Sequence, residues 1–587
     1  MMLFKLITYI LIFFSSGSLI AQDTLKIEAS LNHERRRIKG VVEYRIPSGL
    51  KSDHIEFQLF ANADISPFAS NSVVEGIHGT EIDSAVIGGS GISLDIDVVR
   101  TSATFTPTDK ITLPGKIIKV FFTTYMQSTG DRLTYTNENY LLDGWFPYPA
   151  LLTDNGDWYN PDYGPYSELV SDFFYYDVKF ECPENQVVAA PVAPASTETG
   201  ATSKFYTYSF GPAHDFAMAL SPEFVIDSSV VGKTELFIYH LPSETPVLPR
   251  IRDAVGRTFE FMEAHLGEYA YDRFSVVMSH TELGGGIEFP AMTAITPFGG
   301  RMANSHMYES LIIHETIHQW FYGMINSDQS KAPWMDESIT NYFTLRILEE
   351  NYGAEANLID LFGFKGSQRD EFRLSANVTV SDNPAACPAD KFSSDVEFYG
   401  AIYNRGSLII ETFNNLLDDS LSNLFWSEYF DRYSFKQPTT YDFYSVVEDV
   451  TDSTMADVLK KLLEYSGPID YSIKKFEHIT NDSTGYKLEL TLKKTGPINI
   501  PIDYYLIDSN DDTLKYVWTP EYNTEKITLD IDNPIMTVIV DPENKITVDA
   551  NLLNNSYLYN PDNGPGMRLS SGIMFLIESL LSFLGGM

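Results

Sequence analysis

The chain has 587 residues, of which 44 % are hydrophobic and 21 % charged, and this ordinary globular composition excludes a wholly disordered protein. Its 80 acidic and 41 basic side chains give a net charge of −39. Because so negative a surface repels phosphate backbones, we expect no nucleic-acid partner. The two cysteines, Cys182 and Cys387, are too few for a disulfide scaffold, and we expect two free thiols rather than a bridge.

Residues 1–21 are typical of an export signal. Lys5 precedes an apolar run over residues 6–14, and small residues follow up to Ala21. The run is short for a membrane span, which disfavours the alternative of an uncleaved anchor. We therefore predict a mature protein that starts near Gln22 and is exported to the periplasm, the cell surface or the medium.

Residues 22–228 show the alternation of polar and apolar residues that indicates short β-strands. Examples are VVEYRI at 41–46 and KIIKVFFTTY at 116–125. A stretch rich in Tyr, Trp and Pro, residues 144–166, interrupts the pattern and is long for a simple connector. The pattern predicts a β-rich N-terminal domain.

The hydrophobic period changes over residues 229–472. It predicts one strand at 274–279 and helical segments at 247–267, 306–325, 334–351, 402–418 and 440–465. Strand-like alternation returns over residues 473–556 and predicts a small β-sandwich domain. The whole chain is thus expected to be a multi-domain α+β protein.

Residues 557–587 form the C-terminal tail, in which the apolar residues of 569–587 fall on one helical face. The pattern predicts a terminal amphipathic helix that docks on the body of the protein. The alternative is a weak contact with a membrane surface or a partner.

The sequence HETIH places His314 and His318 four residues apart. On a helix they project to the same side, where two imidazoles can hold one cation. Glu315 would stand beside the metal and take a proton from bound water. The alternative is an amphipathic helix with two polar histidines, which the apolar flanking residues disfavour because buried imidazoles need partners.

A catalytic zinc site needs a third protein ligand, and Glu337 in WMDES stands nineteen residues beyond His318. This distance allows a loop and a returning helix, so we predict one Zn²⁺ per chain held by His314, His318 and Glu337. Asn341, one turn later, is expected either to orient a ligand histidine or to serve as a surface or capping residue.

HETIH followed by Glu337 resembles peptidase family M1, the aminopeptidase N and leukotriene-epoxide hydrolase family of zinc enzymes. GGIEF at 285–289 is similar to the family motif GxMEN, whose glutamate binds the free amino group of the substrate. The resemblance assigns that role to Glu288. Ile287 and Phe289 depart from the Met and Asn of the motif, which leaves the fine specificity open.

YNRG at 403–406 is similar to the family motif YxKG, with Arg405 in place of Lys. The tyrosine of that motif stabilises the oxyanion of the reaction, so the resemblance assigns this role to Tyr403, while Tyr399 lies one turn away as its rival. The resemblance also implies a thermolysin-like fold for the catalytic domain.

Taken from the residues alone, Glu288 offers a substrate ammonium group a charge-assisted hydrogen bond, and Gly285 and Gly286 let a substrate strand approach the backbone. The alternative is an ordinary turn with Glu288 exposed. The expected function is hydrolysis of N-terminal residues from peptide substrates. Alternatives are a zinc endopeptidase that does not read the free amine, a non-catalytic binding protein and, with least support, an epoxide hydrolase.

Overall fold

The computed structural model describes residues 24–63, 79–88, 92–128, 130, 132–164, 166–281, 283–298, 305–353, 357–361, 364–379, 381–481, 485–559 and 574. The predicted export signal lies outside these residues, and so does the predicted terminal helix apart from Met574. No helix within the described ranges is both long enough and apolar enough to cross a bilayer.

The chain divides into two compact units, the first ending at Ser466 and the second beginning at Gly467. The first unit holds a β-rich N-terminal region and a helical middle region, which confirms the predicted order of structure classes. The predicted boundary at 228/229 between these two regions lies inside this single unit, and the individual domain bounds stay predictions.

The N-terminal region consists of short strands that alternate inward and outward side chains. Its strands are β1 (Thr24–Asn32), β2 (Arg37–Arg45), β3 (Ile55–Gln58), β4 (Gly79–Ile87), β5 (Leu94–Val99), β6 (Ser102–Pro107), β7 (Ile117–Tyr125), β8 (Leu133–Thr136), β9 (Asn139–Leu142), β10 (Tyr148–Pro149), β11 (Leu151–Leu152), β12 (Trp158–Tyr159), β13 (Phe174–Pro183), β14 (Val187–Ala189), β15 (Ser196–Thr199), β16 (Ser203–Ala213) and β17 (Met218–Ser221).

The largest sheet of this region has the order β15-β16-β13-β1-β2-β7-β4. Its neighbours run antiparallel except β1 and β13, which are parallel. In β13 every second side chain, from Phe174 to Cys182, is buried, as the period of two requires when one face covers the core.

The middle region opens with strands β18 (Val225–Val231) and β19 (Thr234–His240) and continues with β20 (Arg273–Met278), β21 (Gly286–Phe289) and β22 (Met292–Ile295), which form one sheet in the order β18-β19-β20-β22-β21. A hairpin of β23 (Asn357–Leu361) and β24 (Phe364–Ser367) follows. Its helices are α1 (Leu248–His265), α2 (His306–Ile317), α3 (Glu337–Tyr352), α4 (Gln368–Val378), α5 (Asp395–Phe398), a π-helical turn (Tyr399–Gly406), α6 (Ser407–Leu416), α7 (Asp419–Tyr433), α8 (Thr440–Val450) and α9 (Ser453–Leu463).

Two predicted helix segments differ from the structure. The helix expected at 306–325 ends at Ile317. The segment expected at 440–465 is two helices, because the side chain of Asp452 accepts a hydrogen bond from the Met455 amide and starts a new helix. Helix α7, which the sequence analysis missed, begins in the same way with Asp418.

The second unit contains strands β25 (Asp470–Asn481), β26 (Gly485–Thr495), β27 (Ile502–Asp508), β28 (Thr513–Trp518), β29 (Thr524–Ile531), β30 (Ile535–Val540) and β31 (Ser556–Leu558). They form two sheets, β25-β26-β29 and β28-β27-β30-β31. The rings of Tyr471 in one sheet and Trp518 in the other contact each other edge to face at 5.9 Å. This agrees with the strand-like alternation predicted from residue 473.

Candidate metal centre and active site

Two helices of the middle region supply the predicted metal ligands. Helix α2 carries His314 and Glu315 in its last turn, and His318 is the C-cap residue that directly follows the helix. Helix α3 begins with Glu337. The two helices pack together, so the end of one and the start of the other bring the three residues into one place.

The three ligand atoms form a triangle of the size a metal ion needs. The Nε2 atoms of His314 and His318 lie 3.1 Å apart, and Oε2 of Glu337 lies 3.3 Å and 3.5 Å from them. Tetrahedral zinc ligands at about 2.0–2.1 Å from the ion stand about 3.3 Å from each other. Oε2 of Glu337 is buried and has no hydrogen-bond partner among the described residues. The donor set therefore fits a zinc ion.

Asp336 orients one of the two histidines, and the sequence analysis missed it. Nδ1 of His318 lies 2.7 Å from Oδ1 of Asp336 and 3.1 Å from the Phe321 carbonyl oxygen. A proton on Nδ1 donates to both and leaves the lone pair of Nε2 facing the triangle. The position of Asp336, directly before a proposed ligand, was the only signal in the sequence that could have identified it.

The expected role of Asn341 was wrong in both of its forms. Its side chain is buried and its Nδ2 donates to the backbone carbonyl of Tyr403 at 3.0 Å. Asn341 therefore ties helix α3 to the π-helical turn instead of orienting a histidine or lying on the surface.

Two further carboxylates, Glu315 and Glu288, face the same place. Each is at least 94 % buried, and Oε2 of Glu315 and Oε1 of Glu288 have no hydrogen-bond partner among the described residues. One oxygen of each lies within 4.8 Å of a ring nitrogen of His318. Burial raises the pKa of Glu315 well above its ordinary value, and the charge of Glu288 adds to this effect. The alternative of an ordinary turn with Glu288 exposed was wrong, because Glu288 is buried in strand β21.

A hairpin positions Glu288 against helix α2. Strand β21 holds Gly286 and Glu288 and pairs with β22. The side chain of Gln319 bridges the hairpin to the end of the helix, since its Nε2 donates to the Phe289 carbonyl at 3.1 Å and its Oε1 accepts from the Ala291 amide at 2.8 Å. Gly286 lies directly against Glu315, whereas Gly285 has open space where a side chain would stand.

Tyr403 reaches the cluster from the π-helical turn. Its hydroxyl donates to Oε1 of Glu337, and its ring stacks over the ring of His314 at 6.0 Å. Tyr399, the rival position, has a side chain 39 % exposed and lies beside Tyr403 with 4.6 Å between ring centres. The structure therefore brings Tyr403 to the predicted ligands, while its chemical role stays a prediction.

The N-terminal region adds an ion pair that the sequence analysis did not find. The guanidinium of Arg132 donates to Asp143 at 2.9 Å and to Oε1 of Glu168. Oε2 of Glu168 is buried and unpaired within the described part of the chain. Burial raises the pKa of Glu168 well above its ordinary value, and the charge of Glu288 contributes to the rise. Glu168 and Glu288 are therefore close enough for their charges to interact.

A helix of HExxH type whose two histidines meet a glutamate from the next helix is the arrangement of a metallopeptidase. Residues 252–462 match the model of the peptidase family M1 domain. This part of the chain is therefore a peptidase family M1 domain, which confirms the resemblance drawn from the motifs.

Curated relatives of low identity bear the names of aminopeptidases. The chain is 24 % identical to aminopeptidase N of Rattus norvegicus over 35 % of this chain and 23 % of the relative. It is 26 % identical to leucine aminopeptidase 2 of Neosartorya fischeri over 30 % of this chain and 29 % of the relative. It is 24 % identical to aminopeptidase B of Mus musculus over 31 % of this chain and 28 % of the relative. The chain thus matches less than a third of the length of these relatives.

Proposed function

We propose that the protein is a zinc aminopeptidase that hydrolyses N-terminal residues from peptides. The observation that carries the proposal is the meeting of the ligand triangle of His314, His318 and Glu337 with two buried carboxylates, Glu315 and Glu288, each of which has one oxygen without a hydrogen-bond partner in the described part of the chain. A metal site needs only the triangle. The two extra carboxylates are costly to bury and are explained by a reaction that needs a base and an anchor for a cation.

One zinc ion per chain is proposed, with His314, His318 and Glu337 as its protein ligands. When bound there, zinc supplies a Lewis acid that polarises the scissile carbonyl and lowers the pKa of a water molecule. Asp336 keeps His318 in the tautomer that presents Nε2, which is how the protein prepares the site for the cation.

The proton transfers are assigned to Glu315. Burial favours its protonated form, so the carboxylate readily accepts a proton from water and then delivers it to the leaving amine. The hydroxyl of Tyr403 donates a hydrogen bond to the tetrahedral oxyanion, a contribution of about 3 kcal/mol in comparable sites. In the structure this hydroxyl already points into the cluster, since it donates to Glu337.

Glu288 is assigned to the substrate ammonium group. A carboxylate at this point fixes the N-terminus of the peptide and so places the first peptide bond at the reacting centre. Glu168, held by Arg132, is a second carboxylate whose charge interacts with that of Glu288. Gly285, where a side chain would meet open space, leaves the edge of the hairpin open to a substrate backbone, whereas Gly286 makes room for the carboxylate of Glu315.

Glu315→Gln tests the mechanism, because the amide keeps the size of the side chain and loses the base. We expect zinc content to stay at one ion per chain while peptide hydrolysis falls by at least about 100-fold. Glu350→Gln, an exposed position on helix α3, is the matched control and keeps full activity. Hydrolysis by Glu315→Gln at the wild-type rate rejects the mechanism.

The zinc endopeptidase is the second candidate, and N-terminal acetylation separates the two. An aminopeptidase that uses Glu288 cleaves free peptides and leaves acetylated ones intact, because the acetyl group removes the positive charge. Equal cleavage of both substrates supports the endopeptidase, and no cleavage of either with zinc bound supports the non-catalytic binding protein.

Export remains part of the proposal, on the basis of residues 1–21. Fractionation of cells that make the full chain, followed by N-terminal sequencing, tests it. A mature start near Gln22 outside the cytoplasm is the expected result, and an intact Met1 in the cytoplasmic fraction contradicts it.

A further inference from the structure

The Tyr, Trp and Pro-rich stretch at 144–166, which we call the aromatic segment, ends on a tyrosine that contacts the catalytic region. The ring of Tyr166 stacks on the ring of Phe398 with 4.2 Å between ring centres and 15° between their planes. The Tyr166 hydroxyl donates to Oδ1 of Asp395. Both partners belong to helix α5, so the last residue of the segment holds both ends of that helix.

Helix α5 continues directly into the π-helical turn that carries Tyr403. The Phe398 ring also meets the Tyr403 ring edge to face at 6.0 Å. The order of contact is therefore Tyr166, Phe398, Tyr403. This chain of contacts can couple the position of Tyr166 to that of Tyr403, because close-packed side chains transmit displacement.

The π-helical turn has particular need of such support. π-helical hydrogen bonding is rare and occurs mostly as single turns, frequently at functional sites. Asn341 holds this turn directly through the Tyr403 carbonyl. Tyr166 holds helix α5, which leads into the turn.

The backbone of Tyr166 indicates that the contact is maintained against a local cost. Its φ is 62°, a left-handed conformation that is unfavourable for a residue with a bulky side chain. Burial raises the pKa of Tyr166, and the bond to Asp395 raises it further, so the hydroxyl keeps its proton and remains a donor at neutral pH.

The same segment also holds the loop that leads to Glu337. The hydroxyl of Tyr159 donates to Oδ2 of Asp328 at 2.5 Å, and the ammonium group of Lys331 lies 4.1 Å from the centre of the Tyr159 ring. Asp328 in turn accepts hydrogen bonds from the amide and hydroxyl of Ser330. The aromatic segment thus contacts the chain just before each of the two residues, Glu337 and Tyr403, that meet in the cluster.

We propose that Tyr166 is a positioning residue that sets the place of the Tyr403 hydroxyl through Phe398. The inference rests on the proposed function, because Tyr403 is assigned there to the oxyanion. It gives the aromatic segment a role in the reaction: the N-terminal region aligns a group of the catalytic region that it does not itself supply.

A double-mutant cycle tests this positioning role. Tyr166→Leu removes both the stacking and the hydrogen bond, and we expect kcat to fall about tenfold while KM changes less than about twofold. In a Tyr403→Phe background the same substitution is expected to lower kcat less than about twofold, since the group it positions is gone. A loss of equal size in both backgrounds shows a merely structural role and overturns the inference.

Tyr441→Leu is the matched control, because this tyrosine on helix α8 is 79 % exposed. The substitution should leave kcat, KM and zinc content unchanged. Hydrogen exchange supplies a readout independent of activity. Amides of residues 395–406 should exchange faster in Tyr166→Leu and at the wild-type rate in Tyr441→Leu. If the amides of residues 395–406 exchange at the wild-type rate in Tyr166→Leu, the inference is overturned. An inactive wild-type protein overturns the proposed function instead, and the exchange rates then decide whether Tyr166 supports the turn.

Discussion

Gly286 lies directly against the carboxylate of Glu315, so close that a Cβ atom on residue 286 would stand 2.3 Å from the carboxyl carbon. The hairpin and helix α2 approach each other at this point without room for a methyl group. The position of the proposed base is therefore set by a residue that has no side chain.

Gly286→Ala is expected to displace Glu315 and lower kcat/KM about 100-fold, because an ångström of misplacement at a reacting group has that cost. Gly284→Ala is the control, since a Cβ there meets no atom within 4 Å, and it should stay within about twofold of wild type. Steady-state kinetics on an aminoacyl anilide measure both. Equal activity of the two variants contradicts the close contact.

Asp336→Asn is expected to weaken zinc binding about 10- to 100-fold, because it removes the carboxylate that orients His318. Competition with a chromogenic chelator measures the affinity directly. Asp390→Asn, whose carboxylate is 70 % exposed, should leave the affinity unchanged. If both variants bind zinc as tightly as wild type, Asp336 has no part in preparing the site.

Buried His214 is expected to make the free energy of unfolding depend on pH below about 6.5. Burial lowers the pKa of His214 to about 3, and its Nε2 lies 3.0 Å from the Tyr322 carbonyl oxygen. As the pH falls, His214 therefore gains a proton near pH 6.5 in the unfolded chain but only near pH 3 in the folded chain. From this residue alone, stability is full above pH 6.5 and falls about 1.4 kcal/mol for each pH unit below it.

The neighbouring Asp215 acts in the opposite direction, since burial raises its pKa to about 7 and it gains a proton on folding between about pH 4 and 7. The free energy of unfolding of the wild-type protein consequently changes less with pH than His214 alone would make it. The difference in this free energy between wild type and His214→Gln isolates the contribution of His214. Urea unfolding of wild type and His214→Gln at pH 4.5, 5.5 and 6.5 should show a variant that becomes relatively more stable as pH falls. Parallel profiles contradict a neutral buried His214.

The two cysteines are free, as the sequence analysis expected, and they should differ in reactivity. Cys182 is 1 % exposed, and burial raises its pKa to about 12, so its thiolate is scarce and unreachable. Cys387 is half-buried. We expect one thiol per chain to react with Ellman's reagent in the native protein and two in denaturant. Cys387→Ser should abolish the native reaction, and Cys182→Ser should preserve it.

Short-range regularities made much of the site predictable. A spacing of four residues places His314 and His318 on one side of a helix in any context, because the helical repeat is a property of the backbone. The alternation in β13 likewise indicated a strand before any partner was known. Helix bounds were less predictable, since caps such as Asp452 are single residues that compete with a continuous apolar pattern.

The amino-acid sequence by itself determined which residues can bind a metal, and it indicated the family from the motifs around them. Tertiary packing decided which residues come together to prepare the site: Asp336 on His318, Asn341 on the Tyr403 carbonyl, and Glu168 near enough to Glu288 for their charges to interact. These partners lie 18, 62 and 120 residues apart. Spacing along the chain predicts contacts only within one element, whereas contacts between elements depend on which buried surfaces pack together.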